Sequence, residues 1–282
     1  MSASPATDVF DTSHYASGLR SRLRRSFELG AKYYLYDVPR YFWMRKKMQL
    51  PVLDWKAYWN PVRSFRNETY LQLPLPPHYE EALELLFHAG VRIGNPRSRT
   101  EALTGLWWEA RTAPGDVIEC GAYQGATSLL LAVLGRLNGL SQRVLMLDTF
   151  AGMPEPSRFD LARRPGEFAP PTGWTEIIAQ QAEELGVASR VEIHKGLFTE
   201  TFDKIAPREP RFSFAHIDAN IFEGTRDACE FVLPRITQGG AVVFDDYNGL
   251  LDLGARLAID ASLRGQGQTP SPLAECSAFL RR

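Results

Sequence analysis

The sequence is poor in the features that mark several large classes of protein. It holds only three cysteines among 282 residues, Cys120, Cys229 and Cys276, and no CxxC pair, so neither a zinc ribbon nor a disulfide framework is indicated. No apolar run approaches the roughly 18 residues that cross a bilayer. The N-terminal sequence MSASPATDVF lacks the basic and apolar regions of a secretory signal. We therefore expect a cytoplasmic protein without a membrane span.

An excess of charge of either sign is also missing. The formal net charge is −1, with 44% hydrophobic and 23% charged residues, a composition typical of globular domains that excludes a wholly disordered chain. The charges are, however, unevenly distributed along the chain. Residues 20–66 contain twelve Lys or Arg and three acids, a formal charge of +9, so the remainder of the chain carries −10.

The basic stretch is also rich in aromatic side chains. Residues 20–66 hold eleven of them, including Trp43, Trp55 and Trp59. Such a mixture can bind nucleic acid or lie at a membrane interface, or it can form a helical arm that caps a pocket or builds a dimer. We favour the arm and a homo-oligomer, without nucleic acid, because dense aromatics mark protein interfaces. Three prolines within residues 73–77 predict a boundary between an arm, 1–75, and a domain, 76–282.

The domain alternates short apolar runs with helical patterns. The predicted strands are Val117 to Cys120, Val144 to Leu147, Val191 to His194, Phe212 to Ile217 and Ala241 to Phe244. The predicted helices are Thr127 to Leu137, Thr175 to Leu185 and Thr225 to Leu233. Continuous apolar strands that alternate with helices predict an α/β fold with a doubly wound, mostly parallel sheet. Ligands of such sheets bind at the carboxyl ends of the strands.

Two of these strand ends suggest a nucleoside-bearing ligand. Gly121 and Gly125 follow the first strand and open a helix, although a plain strand-to-helix turn would have the same pattern. Glu119 favours a cationic ligand group over a pyrophosphate. Asp148 follows the second strand, where an acid commonly binds ribose hydroxyls or caps the next turn.

Carboxylates gather at two further strand ends. Asp218 follows the fourth predicted strand, and Asp245 and Asp246 follow the fifth. The two strands are expected to be near neighbours, so the three carboxylates should converge and form a hard-oxygen site for Mg²⁺ or Ca²⁺. The alternative is turn chemistry, since Asp and Asn favour turns.

The residues at these strand ends resemble a known family. PGDVIECGAYQG, residues 114–125, looks like motif I of the class I S-adenosylmethionine-dependent methyltransferases. Five further blocks resemble the macrocin O-methyltransferase family: DTFAGMP (148–154), KGLF (195–198), HIDANIFEGT (216–225), GGAVVFDDY (239–247) and GARLAID (254–260). The similarity covers roughly residues 95–282.

The resemblance implies a Rossmann-like sheet of seven strands and a Mg²⁺-dependent O-methyltransferase that acts on a small hydroxyl-bearing molecule, often a sugar of a natural product. The metal ligands that it implies are Asp218, Asp245 and Asp246. The implied cofactor-binding residues are Glu119, Gly121, Ala122, Tyr123, Gly125, Thr127, Asp148, Thr149, Phe150, Lys195, Gly196, Phe198 and Asp218. One departure is Asn220, which stands where the family usually has a second Asp.

A metal-bound hydroxyl loses its proton to a nearby base as it attacks the methyl group. Asp218, His216 and Glu223 are the candidates, although His216 fits a packed core position and Glu223 fits the start of a helix. Phenol or amine acceptors, and a non-catalytic nucleoside-binding Rossmann protein, remain alternatives. Residues 151–174, with five prolines, predict a lid over the substrate or else a surface loop. Within them, Trp174 would stack on a ring or anchor the lid.

Overall fold

The structure is a computed structural model that describes residues 9–10, 43, 46–48, 71–160, 163–249, 252–264 and 266–282. Its strands are β1 (Asp116–Cys120), β2 (Val144–Asp148), β3 (Val191–Lys195), β4 (Phe212–Ile217), β5 (Ile236–Phe244), β6 (Ser271–Pro272) and β7 (Ala278–Arg281). Its helices are α1 (Tyr79–His88), α2 (Arg97–Ala110), α3 (Ala126–Leu137), α4 (Trp174–Glu184), α5 (Phe198–Ile205), α6 (Phe222–Val232) and α7 (Leu253–Ser262).

The strands form one mixed sheet in the order β3-β2-β1-β4-β5-β7-β6. Strands β1 to β5 are parallel, whereas β7 is antiparallel to both β5 and β6. The predicted doubly wound, mostly parallel sheet is confirmed. From β1 the chain builds outward to β3 on one side, then returns and builds β4 and β5 on the other. The crevice at the carboxyl ends of β1 and β4 is therefore the topological switch point, where ligands of such sheets bind.

Each face of the sheet has its own hydrophobic core. Val117 and Met146 point to one face and pack with residues of α1 to α4. Ile118 follows Val117 in β1, and Leu145 precedes Met146 in β2. Both pack with α5, α6 and α7 on the other face. Successive side chains of a strand point to opposite faces, so every residue of a strand covered on both sides is buried, as in β4.

The sequence predicted the five parallel strands and missed several other elements. Helices α3, α4 and α6 begin at Ala126, Trp174 and Phe222, one to three residues before their predicted starts. Strand β5 begins at Ile236 rather than Ala241, and its pairing with β4 shifts register between Phe212 and Phe214. The helices α1, α2 and α5 and the short strands β6 and β7 had no predicted counterpart. The apolar periodicity of α2 is weak, and α5, β6 and β7 are short.

Only a few residues of the predicted arm, 1–75, are described, and Val9, Phe10 and Met48 among them contact the domain. The Ile93 amide donates to the Val9 carbonyl oxygen at 2.9 Å, and Phe10 forms a parallel bridge with Ile93. Arg264 Nη1 donates to the Met48 carbonyl oxygen at 2.9 Å. Most of residues 20–66 lie outside the described residues, so the helical arm, its boundary and its role in an oligomer stay predictions. No helix in the described ranges has the length and hydrophobicity needed to span a bilayer.

Candidate active site

The turn after β1 lies against the end of β4. Gly121 has φ +95°, and a Cβ at this position would lie 1.8 Å from the Asp218 carbonyl oxygen. The Asp218 amide in turn donates to the Cys120 carbonyl oxygen at 2.8 Å. A left-handed backbone and this close approach both require glycine. The predicted glycine turn and the predicted metal-binding strand end are therefore in direct backbone contact.

Asp148 joins the turns that follow three strands. Its Oδ2 accepts a hydrogen bond from the Tyr123 amide at 2.8 Å, and its Oδ1 accepts one from the Phe150 amide at 2.7 Å. The Gly196 amide donates to the Asp148 carbonyl oxygen at 3.0 Å. Burial raises the pKa of Asp148, while the two amides oppose that shift. Each carboxylate oxygen keeps lone-pair capacity with which it could accept a ligand hydroxyl.

Three non-glycine residues at this edge adopt left-handed backbone conformations. Tyr123, Phe150 and Asn220 have φ values of +50°, +48° and +60°, and they follow β1, β2 and β4. Such conformations cost about 1–3 kcal/mol and persist only where the surroundings impose them, often at functional sites. The sequence carries no direct signal of this strain, because Tyr and Phe are unusual in the left-handed region.

The carboxylates after β4 and β5 converge as predicted, together with a histidine. One ligand atom each of His216, Asp218 and Asp245 lies within 4.8 Å of the others. Asp246 is not a member of that group, but it is linked to Asp218 by Asn220. The Asn220 Nδ2 atom donates to Asp218 Oδ1 at 2.8 Å and to Asp246 Oδ2 at 3.1 Å. The residue that replaces the second Asp of the family is thus a donor to two carboxylates.

Crowding of these acids moves their pKa values apart. Burial, followed by the charges of Asp245 and Asp246, raises the pKa of Asp218 well above its usual value. Burial and the charges of Asp252 and Asp245 raise the pKa of Asp246 to about 8. Burial also acts against ionisation of Asp245, but Arg99 and His216 lower its pKa to about 2. The protein alone relieves this crowding by keeping protons on some of the acids, and a cation bound there would compete with those protons by stabilising the charged carboxylates.

His216 is fully buried between two carboxylates. Its Nδ1 lies 2.8 Å from Glu119 Oε1, and its Nε2 lies 3.6 Å from Asp245 Oδ1. Burial acts to lower the pKa of His216, but its contacts with Asp245 and Glu119 raise that pKa well above the usual value. Glu119 is 2% exposed and also accepts a hydrogen bond from Ser128 Oγ. The Glu119 carboxylate thus contacts His216 and Ser128. A contact between Glu119 and a cofactor stays a prediction.

A divalent cation fits the chemistry of this cluster. The Nε2 atom of His216 and the Oδ1 atom of Asp245 are buried, and neither has a hydrogen-bond partner among the described residues. Buried polar atoms are rarely left without a partner. A cation would satisfy Asp245 Oδ1 directly, and it would satisfy His216 Nε2 once the imidazolium has released its proton. Carboxylate oxygens suit Mg²⁺, whereas an imidazole nitrogen is a ligand more typical of transition metals.

Two arginines that the sequence did not predict form ion pairs with acids in and beside the carboxylate cluster. Arg99 of α2 donates from Nη1 to Asp245 Oδ2 at 2.8 Å. Arg163 forms a buried ion pair with Asp252. Burial and nearby acids raise the pKa of Asp252 to about 6 in spite of Arg163. No local pattern marks Arg99, which stands in the polar first turn of a helix, because its partner is 146 residues away.

The predicted lid, residues 151–174, is bonded to the domain at several points. The Met153 amide donates to the Glu167 carbonyl oxygen at 2.7 Å, which closes the base of the segment. Farther out, Asp160 Oδ1 accepts a hydrogen bond from the Phe222 amide at 2.7 Å, at the start of α6. Trp174 Nε1 donates to the Gln124 carbonyl oxygen at 3.2 Å, so it anchors the segment to the glycine turn.

The remaining predicted residues fall into two groups. Ala122, Gly125, Thr127, Thr149, Lys195 and Phe198 all lie at the carboxyl ends of β1, β2 and β3 or in the first turn of the next helix. Glu223 lies in the first turn of α6 and pairs with Arg226 at 3.0 Å. That position matches the helix-start interpretation, and Glu223 does not belong to the His216, Asp218 and Asp245 group.

Comparison with known proteins adds a family match. The family model of the macrocin O-methyltransferases (TylF) matches residues 108–277. A curated protein of Streptomyces olivaceus, 8-demethyl-8-(2,3-dimethoxy-alpha-L-rhamnosyl)-tetracenomycin-C 4'-O-methyltransferase, is 31% identical over 146 residues, 48% of this chain and 53% of that protein. Demethyldecarbamoylnovobiocin O-methyltransferase of Streptomyces niveus is 25% identical over 175 residues, 55% of this chain and 60% of that protein. The matches thus span about half of these relatives' lengths.

Solved structures share the fold. The crystal structure of a calicheamicin methyltransferase superposes with a TM-score of 0.60 at 21% identity, over 83% of this chain and 95% of that chain. The O-methyltransferase NovP superposes with a TM-score of 0.57 at 20% identity, over 69% and 85% of the two chains. The sheet is therefore a Rossmann-like methyltransferase sheet, as the sequence predicted.

Proposed function

Because the chain belongs to the macrocin O-methyltransferase family, we propose that it transfers the methyl group of S-adenosylmethionine to a sugar hydroxyl of a natural product, with Mg²⁺ as a second cofactor. The observation that carries the proposal is the junction of β1 and β4. There the Asp148-bound glycine turn, suited to a nucleoside, lies in backbone contact with the His216, Asp218 and Asp245 cluster. Sugar acceptors are favoured by the rhamnosyl-tetracenomycin methyltransferase among the relatives.

Asp148 is the proposed ligand of the ribose hydroxyls. It is fixed by two amide donors and is only half-buried, so its carboxylate is oriented before a ligand arrives. Preorganisation of this kind lowers the entropic cost of binding. The other proposed cofactor contacts are those of the sequence prediction: Glu119, Gly121, Ala122, Tyr123, Gly125, Thr127, Thr149, Phe150, Lys195, Gly196, Phe198 and Asp218.

Asp218, Asp245 and Asp246 are the proposed metal ligands, and His216 Nε2 is a further candidate. A bound Mg²⁺ would lower the pKa of an acceptor hydroxyl and fix its oxygen. Asp218 is the proposed proton acceptor, because its carboxylate belongs to the cluster at which the acceptor hydroxyl would bind. Asn220 cannot take a proton as an aspartate would. Its amide instead donates to Asp218 and Asp246, and so it orients both side chains.

The lid, residues 151–174, is proposed to cover the acceptor. Its Phe168 side chain is 51% exposed, and the ring lies edge-on to the Tyr123 ring at 6.0 Å between centroids. A large exposed aromatic beside the proposed cofactor turn is available to pack against a ligand. Exclusion of water by the lid would strengthen the electrostatic interactions of the carboxylate cluster.

Cofactor binding is tested by calorimetric titration with S-adenosylhomocysteine. We expect saturable binding that Asp148→Ala weakens about 100-fold, since the variant loses bonds to a charged acceptor and frees two turn amides. The matched control is Asp203→Ala, because Asp203 is an exposed acid on α5, and it should bind like the wild type. Absence of binding to the wild type would remove the proposal as a whole.

The metal and the chemistry are tested together with a panel of acceptors. Activity on a glycosylated natural product should disappear in EDTA and return with Mg²⁺, whereas full activity in EDTA would refute the metal role. Asp245→Asn should lose turnover but still bind S-adenosylhomocysteine, which separates catalysis from simple nucleoside binding. Turnover of a phenol or amine, with no turnover of sugar hydroxyls, would reassign the acceptor.

A further inference from the structure

Arg99 is a buried cation that bridges two acids from different parts of the chain. Its Nη1 donates to Asp245 Oδ2 at 2.8 Å, and its Nη2 donates to Glu275 Oε2 at 3.1 Å. Arg99 is 8% exposed, and Asp245 and Glu275 are 2% and 4% exposed. A planar guanidinium presents donors in a fixed fork, so it can hold two carboxylates at once at a set separation. A lysine ammonium at the same position could not reproduce that geometry.

The bridge determines how Asp245 faces the metal cluster. Arg99 occupies Oδ2, while Oδ1 is buried and has no hydrogen-bond partner among the described residues. That oxygen lies 3.6 Å from His216 Nε2, which is longer than a hydrogen bond. One oxygen of Asp245 is thus held by Arg99, and the other faces His216 within the group of ligand atoms of His216, Asp218 and Asp245, where a cation would bind.

Glu275 holds Arg99 in turn. Ser98 Oγ donates to Glu275 Oε1 at 2.6 Å, so both oxygens of Glu275 are engaged from the first turn of α2. Glu275 itself has φ +49°, a backbone conformation that the surrounding structure must impose. Asn95 Oδ1 also accepts from Arg99 Nη1, at 3.2 Å. The Arg99 fork is therefore fixed on the side away from the cluster.

We propose that Arg99, held by Glu275, is a positioning residue that presents Asp245 Oδ1 to a divalent cation. The inference rests on the proposed function, since it assumes that Asp245 is a metal ligand. It extends that function to a residue outside the segment that the family model matches, 108–277. Outer residues that orient metal ligands typically contribute 10- to 100-fold to metal affinity.

A purely structural role makes a different prediction. A buried ion pair that only ties α2 to the sheet would affect stability when it is broken, but it would leave the affinity for a cation unchanged. Arg99→Lys distinguishes the two roles, because lysine keeps the positive charge and loses the fork. Glu275→Gln is a milder change that keeps the shape and one acceptor oxygen.

The test is a calorimetric titration of the full-length chain, saturated with S-adenosylhomocysteine, with MgCl₂. We expect Arg99→Lys to raise the dissociation constant for Mg²⁺ about tenfold and Glu275→Gln to raise it by a smaller factor. Affinity for S-adenosylhomocysteine should stay within about twofold of the wild type in both. The control is Arg97→Lys on the same helix, since Arg97 pairs with Glu80 and Glu101 at the surface; it should bind Mg²⁺ like the wild type.

The outcomes separate this inference from the function on which it rests. Wild-type affinity for Mg²⁺ in Arg99→Lys, with only a lower melting temperature, would overturn the positioning role and leave the proposed function intact. If Arg99→Lys does not fold, Glu275→Gln decides: unchanged Mg²⁺ affinity there overturns the role. A wild-type protein that binds S-adenosylhomocysteine but no Mg²⁺ would refute the metal part of the proposed function, and the inference with it.

Discussion

Replacement of Gly121 by alanine tests the contact between the glycine turn after β1 and Asp218 at the end of β4. The added Cβ would lie 1.8 Å from the Asp218 carbonyl oxygen, whereas contacts closer than 3.0 Å are essentially never seen. The two backbones must therefore separate by more than an ångström. Asp218 cannot yield easily, because its amide is bonded to the Cys120 carbonyl oxygen of β1.

The size of the effect follows from two costs. A left-handed conformation costs an alanine about 1–2 kcal/mol, and overpacking of a tight contact costs about 1–3 kcal/mol. Together they should lower the free energy of unfolding by about 2–5 kcal/mol. For a domain of this size that corresponds to a fall in melting temperature of about 4–20 °C. A displacement of Asp218 by about 1 Å should also reduce kcat/KM about 100-fold.

The assay compares thermal unfolding, followed by circular dichroism, with methyl transfer to the acceptor. The matched control is Gly135→Ala within α3, where an added Cβ meets no atom within 4 Å. That variant should gain about 0.5–1 kcal/mol, because glycine is unfavourable inside a helix. Wild-type stability and activity in Gly121→Ala would show that the two turns do not approach as described, and would refute the reasoning.

Three further predictions concern the same edge of the sheet. Asn220→Asp replaces a donor to two carboxylates by a third negative charge. In EDTA the free energy of unfolding of this variant should be lower by about 2 kcal/mol or more, and thermal unfolding should show that Mg²⁺ restores the lost stability. Since the pKa of Asp246 is raised to about 8 in the folded state, the metal-free protein should lose stability as pH rises from about 4 to 8. In urea unfolding, the stability of Asp246→Asn should depend less on pH, and this variant should be more stable than the wild type at pH 8. Trp174→Phe removes the hydrogen bond to the Gln124 carbonyl oxygen and should cost about 1 kcal/mol in urea unfolding.

Each of these has an outcome that contradicts it. Equal stability of Asn220→Asp and the wild type in EDTA would mean that the amide does not bridge the two acids. The same pH dependence between pH 4 and 8 in the metal-free wild type and in Asp246→Asn would contradict the raised pKa of Asp246, because that shift adds a loss of stability with rising pH that the variant lacks. For Trp174, a tryptophan-to-phenylalanine change without effect would show that the lid is anchored by other contacts.

The sequence predicted the parts of this protein that depend on local patterns. Strands β1, β2 and β4 and the C-terminal half of β5 are buried almost throughout, because both faces of the sheet are covered there. Apolar runs of this kind are visible without knowledge of the fold. Acids that directly follow parallel strands meet at one edge for the same topological reason. The convergence of Asp218 with Asp245 could therefore be predicted before the structure was known.

What the sequence could not predict depends on contacts between distant residues. Arg99 looks like an ordinary surface residue of a helix start, yet it is buried against Asp245 and Glu275. The contact between Glu119 and His216, 97 residues farther along the chain, was likewise not predicted. In both cases the decisive quantity is burial of a charge, which local composition does not reveal.

The bond between Asp160 and the start of α6 gives the lid a thermodynamic link to the core. If residues 151–174 act as the proposed lid and leave the domain, the Phe222 amide would lose its acceptor, and the first turn of α6 would lose a capping bond that contributes about 1 kcal/mol. Entry of a substrate by that route would carry a cost in helix stability that is recovered only on closure. Hydrogen exchange at the Phe222 amide would report directly how often the entrance is open.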